Sequence, residues 1–138
     1  MKPIEITELD HIVLNVRDID RSLSFYTYVL GLKGERVQEF EEGKVGFPSV
    51  RINEHTIIDL FPIKGADGRK ESVEKAEGNL NHFCLVVGKE DFAGIVDYLK
   101  GHNVSIHQGP ISRWGARGRA TSVYFLDPDG NEVEIRCY

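Results

Sequence analysis

Two histidines and two carboxylates recur at matching places in the two halves of the sequence. His11 and His82 lie in the similar segments LDHIVLNV (residues 9–16) and LNHFCLVV (residues 80–87), which match at leucine, histidine, leucine and valine with an offset of 71 residues. A later strand-like run carries Asp59 in the first half and Glu134 in the second. Imidazole and carboxylate groups together suit Zn, Ni, Mn or Fe. The four residues are therefore candidate metal ligands.

Strand alternation places these four side chains on corresponding faces of their strands. Alternate residues of a strand share a face, so each histidine and each carboxylate lies opposite the apolar residues of its own run. These apolar residues are Ile12 and Leu14, Phe83 and Leu85, Ile58 and Leu60, and Val133 and Ile135. If the two halves pair about a pseudo-twofold axis, the four ligands converge in one cavity. A lone strand histidine is more often structural, but the repeat favours metal binding by both.

The last strand leaves two interpretations of its polar face. Asp127-Pro128-Asp129-Gly130 is a turn by composition, and the strand that follows alternates Glu132, Glu134 and Arg136 with apolar residues. The pattern alone indicates an edge strand with a solvated face. The repeat instead favours Glu134 as a metal ligand, with Glu132 as a neighbour or a solvated residue.

The elements around these residues repeat in the order βαβββ. Helical periodicity follows each histidine strand, and a glycine, Gly31 or Gly101, ends each helix. Three β-rich runs follow each helix: GERVQEF, KVGFPSVRI and HTIIDLF, then NVSIHQG, RATSVYFL and NEVEIRC. We predict an α+β fold in one domain, residues 1–138. Two modules, about 5–62 and 79–138, are expected to pair into a curved, partly open barrel around a cavity, joined by the polar connection 63–78.

Positive charge is concentrated in the segment ISRWGARGRATS. Three arginines lie within seven residues of a chain whose net charge is −5. The segment is either a solvated loop or a mobile lid that brings guanidinium groups onto an anionic substrate. Of the three, Arg117 and Arg119 are favoured over Arg113. The full set of candidate substrate-binding residues is Arg113, Trp114, Arg117, Arg119, Ser122, Tyr124 and Asn15.

Composition excludes several function classes. With 17 basic and 22 acidic residues, the chain has no general attraction to nucleic acid or to an anionic membrane. No apolar run approaches the roughly 20 residues of a membrane span, and the N-terminus lacks a signal-peptide pattern, so we expect a cytoplasmic protein. Cys84 and Cys137 are predicted to be small buried hydrophobes rather than disulfide partners. His55, His102 and His107 are predicted to be surface histidines.

The segments DHIVLNV, DIDRSLSFYTYVLGL and VYFLDPDGNEVEI resemble those of the vicinal oxygen chelate superfamily over nearly the whole chain. That superfamily includes glyoxalase I, fosfomycin-resistance thiol transferases, extradiol dioxygenases and metal-free bleomycin-binding proteins. The segment GPISRWGARGRATSVYFLDPDGN is most similar to small glyoxalase-domain proteins. The resemblance implies that His11, His82 and Glu134 bind a divalent metal. It also implies a module-swapped homodimer with two sites.

Two further positions follow from the resemblance. Asp59 falls where glyoxalase I has a glutamate ligand, but aspartate is one methylene shorter, and fosfomycin-resistance proteins leave this position unused. Tyr124 corresponds to a tyrosine that reaches the cavity in fosfomycin-resistance proteins.

The function expected is that of a metal-dependent lyase, isomerase or thiol transferase acting on a small, oxygenated, anionic substrate. Glu134 or Asp59 would act as the catalytic base, and a thiol such as glutathione is a candidate cosubstrate. One alternative is an Fe(II) ring-cleaving dioxygenase, in which Asp59 would lie outside the ligand set. The other is a metal-free binding or resistance protein, against which the intact ligand set argues.

Overall fold

The computed structural model describes residues 6–63, 75, 78 and 80–138. The chain divides into two compact units, Met1–Arg69 and Lys70–Tyr138. Each unit has one four-stranded mixed sheet and short helices, so the α+β prediction is confirmed. Apart from residues 63, 75 and 78, the predicted connection 63–78 lies outside the described residues. Within the described ranges, no helix is long and apolar enough to cross a membrane.

The first unit places its histidine strand beside its carboxylate strand. Its elements are β1 (His11–Val16), α1 (Ile19–Ser24), a π-helical continuation (Phe25–Val29), β2 (Lys33–Glu35), α2 (Val37–Glu41), β3 (Ser49–Arg51) and β4 (Ile57–Pro62). The sheet order is β1-β4-β3-β2, with β1 parallel to β4 and the other pairs antiparallel. Asp18 begins α1 because its carboxylate accepts a hydrogen bond from the Arg21 amide, at 3.1 Å. The buried core is formed by Leu14, Val16, Leu23, Phe25, Tyr26, Val50, Ile58 and Leu60.

The second unit repeats this topology. Its elements are β5 (Phe83–Val86), α3 (Lys89–Ala93), α4 (Ile95–Gly101), β6 (Ile106–Gly115), β7 (Gly118–Leu126) and β8 (Glu132–Cys137). The order is β5-β8-β7-β6, with β5 parallel to β8. Its buried core is formed by Ile95, Leu99, Val123, Phe125, Val133 and Ile135. The duplicated βαβββ order and the predicted apolar faces are therefore confirmed.

Strand register sets where the candidate ligands lie. In the first unit Asp59 pairs with Val13 of the parallel neighbour β1 and with Ser49 of β3. In the second unit Glu134 pairs with Cys84 of β5 and with Tyr124 of β7. Because side chains alternate, each histidine, two residues before Val13 or Cys84, lies on the same sheet face as the carboxylate of its unit.

One local expectation was wrong, and the structure excludes one of the two interpretations for each of two other segments. Of the run GERVQEF, only the first two residues lie in a strand, β2 (Lys33–Glu35), because Arg36 adopts a left-handed conformation (φ 56°) and Val37–Glu41 is helical. The arginine-rich segment is not a loop: it forms the tip of the β6–β7 hairpin, which turns at residues 116 and 117. The last strand, β8, lies inside its sheet rather than at an edge, and Glu134 and Arg136 are each only 3% exposed.

The cysteine expectation was partly wrong. Both cysteines are free thiols, as predicted. However, Cys84 is exposed and Cys137 is only partly buried. The reason for Cys84 is its register, which places it on the polar face of the sheet with Glu134.

Candidate functional site

In the first unit, one imidazole is held between two carboxylates. His11 Nδ1 lies 2.6 Å from Asp10 Oδ2, and His11 Nε2 lies 4.0 Å from Asp59 Oδ2. The hydrogen bond with Asp10 is the main reason that the pKa of His11 is raised, and the charge of Asp59 adds to it. The ring is exposed, so it can accept a ligand on its Nε2 side.

The carboxylate of this unit is held by two further side chains. Asp59 is 6% exposed, and its Oδ1 accepts a hydrogen bond from Ser49 Oγ at 2.6 Å. Arg36 Nη2 lies 3.6 Å from the same oxygen and also donates to the Ser49 hydroxyl. The Arg36 guanidinium lies over the Phe47 ring, 5.4 Å from its centroid. Asp59 therefore already has a cationic neighbour.

The second unit repeats the arrangement with a closer pair. His82 Nδ1 lies 2.6 Å from Asn81 Oδ1, and His82 Nε2 lies 3.2 Å from Glu134 Oε1. Since the Asn81 oxygen can only accept, Nδ1 carries the donated hydrogen, and in a neutral ring Nε2 then carries the lone pair. That lone pair faces a carboxylate oxygen, so a cation between the two atoms, either a proton or a metal ion, stabilises the pair.

Glu134 is also held on its other oxygen. Ser122 Oγ donates to Glu134 Oε2 at 2.5 Å, and Arg136 Nη1 lies 3.5 Å from that oxygen. Two strands meet here, because Ser122 on β7 and Arg136 on β8 are register partners. These contacts leave Oε1, the oxygen nearer His82, as the oxygen of the carboxylate that is available for coordination.

Tyr124 and Cys84 complete the polar face around Glu134. The Tyr124 and His82 rings are 5.7 Å apart and meet edge to face. Burial raises the pKa of Tyr124, and Glu134 raises it further, while a hydrogen bond and the charge of Arg113 act in the opposite direction. Although Cys84 as a whole residue is exposed, its thiol is partly desolvated beside Glu134. This desolvation, together with the charge of Glu134, raises the pKa of Cys84 to about 12, so the thiol is protonated at neutral pH.

The predicted histidine–carboxylate pairs are thus brought together within each unit, but their supporting residues were missed. The missed side chains are Asp10 and Asn81, Ser49, Arg36 and Arg136, while Ser122 was predicted only as a substrate-binding residue. Two dipeptide repeats could have indicated most of them: Asp-His against Asn-His, and Ser-Val before Arg51 against Ser-Val before Tyr124.

The donor set fits a divalent metal, because each unit presents an imidazole nitrogen and a carboxylate oxygen from fixed side chains. Among the described residues, however, no group of three or more histidine, cysteine, aspartate and glutamate side chains is close enough to form a metal site. Each unit is therefore described as a half-site: His11 with Asp59, and His82 with Glu134. A shared three- or four-ligand centre stays a prediction.

The three arginines of the hairpin tip do not share one environment. Arg113 pairs with Ala120, which lies on the same face of β7 as Ser122 and Tyr124. Arg119 lies on the opposite face, where its guanidinium is 4.7 Å from the Trp114 ring, which is itself 72% exposed. The structure does not bring Arg117 and Arg119 together on this face, because strand alternation places Arg119 on the opposite one.

The remaining candidates lie apart from the half-sites. Arg117, in the turn, lies over the Tyr138 ring at 4.2 Å. Asn15 is exposed on the same face of β1 as His11. Two of the predicted surface histidines are exposed: His55 lies 3.6 Å from Glu8, and His107 lies 3.2 Å from Glu132. Glu132 therefore has its own partner, outside the half-site.

Comparison with known proteins finds relatives of similar sequence and fold. A lactoylglutathione lyase of Escherichia coli O157:H7 is 33% identical over 129 residues, which cover 91% of this chain and 88% of that protein. The crystal structure of a glyoxalase/dioxygenase from Nostoc punctiforme is 26% identical with a TM-score of 0.77, covering 99% of this chain and 94% of that one.

A more distant solved structure shows the same fold. It is a variant of the fosfomycin resistance protein FosX from Listeria monocytogenes, complexed with Mn(II) and a dihydroxypropylphosphonic acid. It is 19% identical with a TM-score of 0.69, covering 96% of this chain and 93% of that one. The family model of the Glyoxalase/Bleomycin resistance protein/Dioxygenase superfamily matches residues 8–135. The chain belongs to that superfamily, as its sequence motifs predicted.

Proposed function

We propose that the protein is a metal-dependent enzyme of the glyoxalase and fosfomycin-resistance type, in which His11, His82 and Glu134 bind one divalent metal ion. The observation that carries this proposal is the contact of His82 Nε2 with Glu134 Oε1, at 3.2 Å. The other ring nitrogen is already bonded to Asn81, at 2.6 Å. A metal-binding histidine characteristically donates its second ring N–H to a neighbouring oxygen in this way, which fixes the ring and its tautomer.

The substrate that we propose is a small anion with two adjacent oxygens. A divalent metal held here would act as a Lewis acid towards those oxygens. Tyr124 lies beside His82, and Arg113 reaches Tyr124 from the same face, so the two side chains offer a hydroxyl and a positive charge to the anion. Glu134, or Asp59 in the other half-site, would accept the substrate proton.

The reaction class is a lyase, an isomerase or a thiol transferase. A relative that is 33% identical is a lactoylglutathione lyase, which supports a thiol such as glutathione as cosubstrate. The metal is Zn, Ni, Mn or Fe, because these ions accept mixed imidazole and carboxylate ligands. We further propose that the two modules pair into a partly open barrel around the site in a cytoplasmic, module-swapped homodimer. Sedimentation showing a metal-replete monomer would contradict the exchange.

The proposal is tested by the metal content of His82→Ala. Removal of one neutral imidazole takes a ligand from a site that has few, so the variant should lose most of the divalent metal that the parent binds. His55→Ala is the matched control, because His55 is exposed and its ring lies 3.6 Å from Glu8 and 3.7 Å from Glu54, not beside a candidate ligand. It should bind metal like the parent. Tight stoichiometric metal in His82→Ala would show that the ligand assignment is wrong.

A second candidate function has one specific observation in its favour. Asp59 Oδ2 lies 4.0 Å from His11 Nε2, whereas Glu134 Oε1 lies 3.2 Å from His82 Nε2, which leaves the two histidines and Glu134 as the better ligands. That set is also the facial triad of Fe(II) oxygenases, so an extradiol-type dioxygenase is the alternative. Oxygen consumption with catechols by the Fe(II)-loaded protein distinguishes the two. Oxygen consumption that occurs with Fe(II) but with no other metal favours the dioxygenase. Turnover of a substrate in the absence of oxygen, with Ni, Mn or Zn bound, favours the lyase or transferase.

A further inference from the structure

Arg136 contacts two parts of the second unit, namely Glu134 and the end of the β6–β7 hairpin. It is 3% exposed and lies on the polar face of β8 with Glu134. Its Nη1 lies 3.5 Å from Glu134 Oε2. The same guanidinium donates to backbone carbonyls of the hairpin tip, which we define as residues 113–118.

The contacts with the tip come from both ends of the guanidinium. Nη1 donates to the carbonyl of Trp114 at 2.9 Å, and Nη2 donates to the carbonyl of Arg113 at 2.8 Å. Nη2 also lies 3.4 Å from the carbonyl of Gly118, on the second strand of the hairpin. Arg136 Nε, by contrast, is buried without a hydrogen-bond partner in the described part of the chain. The Arg136 side chain therefore uses its two terminal nitrogens to bind the hairpin tip, while its Nε–H stays unpaired among the described residues.

The tip needs this support because no third strand pairs with it in the part of the chain that the structure describes. β8 pairs with β7 only as far as Thr121↔Cys137, so the hairpin extends beyond the end of β8. Tyr138 adds to the support, because its hydroxyl accepts from the Arg117 amide at 3.0 Å and its ring lies 4.9 Å from the Arg136 guanidinium. An isolated two-stranded hairpin is marginally stable in water, so side chains at its end decide how well the tip is ordered.

A glycine makes room for the arginine. A Cβ placed on Gly115 would overlap Arg136 Nη1 and come within 2.6 Å of the Tyr138 hydroxyl oxygen. The close approach of the guanidinium to the tip therefore depends on the absence of a side chain at this position. Because Gly115 does not require a left-handed conformation, its role here is space rather than backbone freedom.

We propose that Arg136 is a positioning residue that ties the hairpin tip to Glu134, so that a displacement of the tip is transmitted to the carboxylate. The proposal rests on the proposed function in one respect, namely that Glu134 is a metal ligand. Its functional meaning is that an anion bound by Arg113 or Arg117 on the tip changes how Glu134 faces His82. The coupling runs through one buried side chain, whose contacts with described residues lie within the second unit.

The first experiment replaces the planar guanidinium of Arg136 by the compact ammonium group of lysine. Arg136→Lys keeps the charge but cannot donate to several carbonyls and approach Glu134 at once. Loss of a charged hydrogen bond should speed amide hydrogen exchange in residues 113–118 by about tenfold to a hundredfold. The NMR signals of the His82 imidazole should shift in the same metal-free sample, because Glu134 loses its contact with the guanidinium. Arg51→Lys is the matched control, since Arg51 is a strand arginine that binds Glu35 and the Asn53 carbonyl. It should change neither readout.

The second experiment leaves the arginine and the carboxylate intact. Gly115→Ala should displace Arg136 from the tip and reproduce both changes, whereas Gly46→Ala, where a Cβ meets nothing within 4 Å, should not. Unchanged amide hydrogen exchange in the hairpin tip of either test variant would show that Arg136 does not hold the tip. Faster exchange with unchanged His82 signals would overturn the transmission to Glu134.

Metal titration separates this inference from the proposed function. If the parent binds metal, Arg136→Lys should weaken binding by about tenfold to a hundredfold at unchanged stoichiometry, the effect typical of residues that orient a ligand. Unchanged affinity would overturn the transmission. If the parent binds no metal, the proposed function fails, while the exchange and NMR results still decide whether Arg136 ties the tip to Glu134.

Discussion

Ser122→Ala is expected to destabilise the protein by about 1.5–3 kcal/mol. Ser122 is fully buried, and its hydroxyl donates to Glu134 Oε2 at 2.5 Å. The alternative cation, Arg136, is anchored by the carbonyls of the hairpin tip, so it cannot swing closer to compensate. Removal of the hydroxyl therefore leaves a buried carboxylate oxygen with less support, which costs about the value of one charged hydrogen bond.

The equivalent change in the other half-site should cost less. Ser49 donates to Asp59 at 2.6 Å, but Arg36 lies only 3.6 Å from the same oxygen and is less constrained, since its side chain is 38% exposed. When the serine hydroxyl is removed, Arg36 can move onto Asp59 directly. We expect Ser49→Ala to cost about 1 kcal/mol or less.

Urea unfolding at neutral pH in EDTA measures both changes. If unfolding of parent and variants follows one cooperative transition, the midpoints give the free energies directly. Ser105→Ala, at an exposed position, is the control and should lie within about 0.5 kcal/mol of the parent. A double-mutant cycle with Glu134→Gln isolates the hydrogen bond from other effects of the serine. Equal losses for the two serines, or a loss for Ser122→Ala no larger than that of the control, would refute the argument.

Two other perturbations follow from the site geometry. Because Asp10 and Asp59 raise the pKa of His11 in the folded protein, His11 contributes its full stabilisation below its unfolded-state pKa of about 6.5. This contribution is lost as the pH rises through the higher folded-state pKa. The urea midpoint of the metal-free parent should therefore decrease as the pH rises through this range, and the decrease should be smaller for His11→Gln; equal decreases in parent and variant would contradict the assignment. Titration with methylphosphonate should show binding about tenfold to a hundredfold weaker for Arg113→Ala but nearly unchanged for Arg119→Ala, and the reverse order would contradict the assignment of faces.

The order of the elements along the chain and the faces of the candidate ligands could be predicted because both depend on local periodicity. Alternation along a strand determines which residues share a face, so Asp59 and Glu134 were correctly placed opposite the apolar core. The internal repeat then assigned the same role to His11 and His82. Neither inference required knowledge of which strand lies next to which.

Features that depend on long-range pairing could not be predicted in this way. The burial of Arg136 follows from the position of β8 between β5 and β7, and strand order is not encoded in the strand itself. The glycines of the segment WGARG indicated a loop, whereas the strand pairing of Arg113 with Ala120 continues the hairpin up to its tip. The helix that begins at Val37 depends on the left-handed Arg36, which residue type alone does not indicate.

The two half-sites have the same arrangement but differ in how closely the carboxylate approaches its histidine. Asp59 Oδ2 is 4.0 Å from His11 Nε2, and its other oxygen contacts Ser49 and the partly exposed Arg36. Glu134 Oε1 is 3.2 Å from His82 Nε2, so the longer side chain brings its oxygen closer to the imidazole.

This difference predicts unequal effects of neutralising the two carboxylates. Glu134→Gln should weaken binding of a divalent metal by more than about a hundredfold, because it removes a direct ligand. Asp59→Asn should leave the affinity within about tenfold of the parent, the lower limit for residues that only support a ligand. Isothermal titration with Mn or Zn measures both variants, and circular dichroism checks that each is folded. If Asp59→Asn loses as much affinity as Glu134→Gln, Asp59 is a fourth ligand, and Arg36 must move away from it when the metal binds.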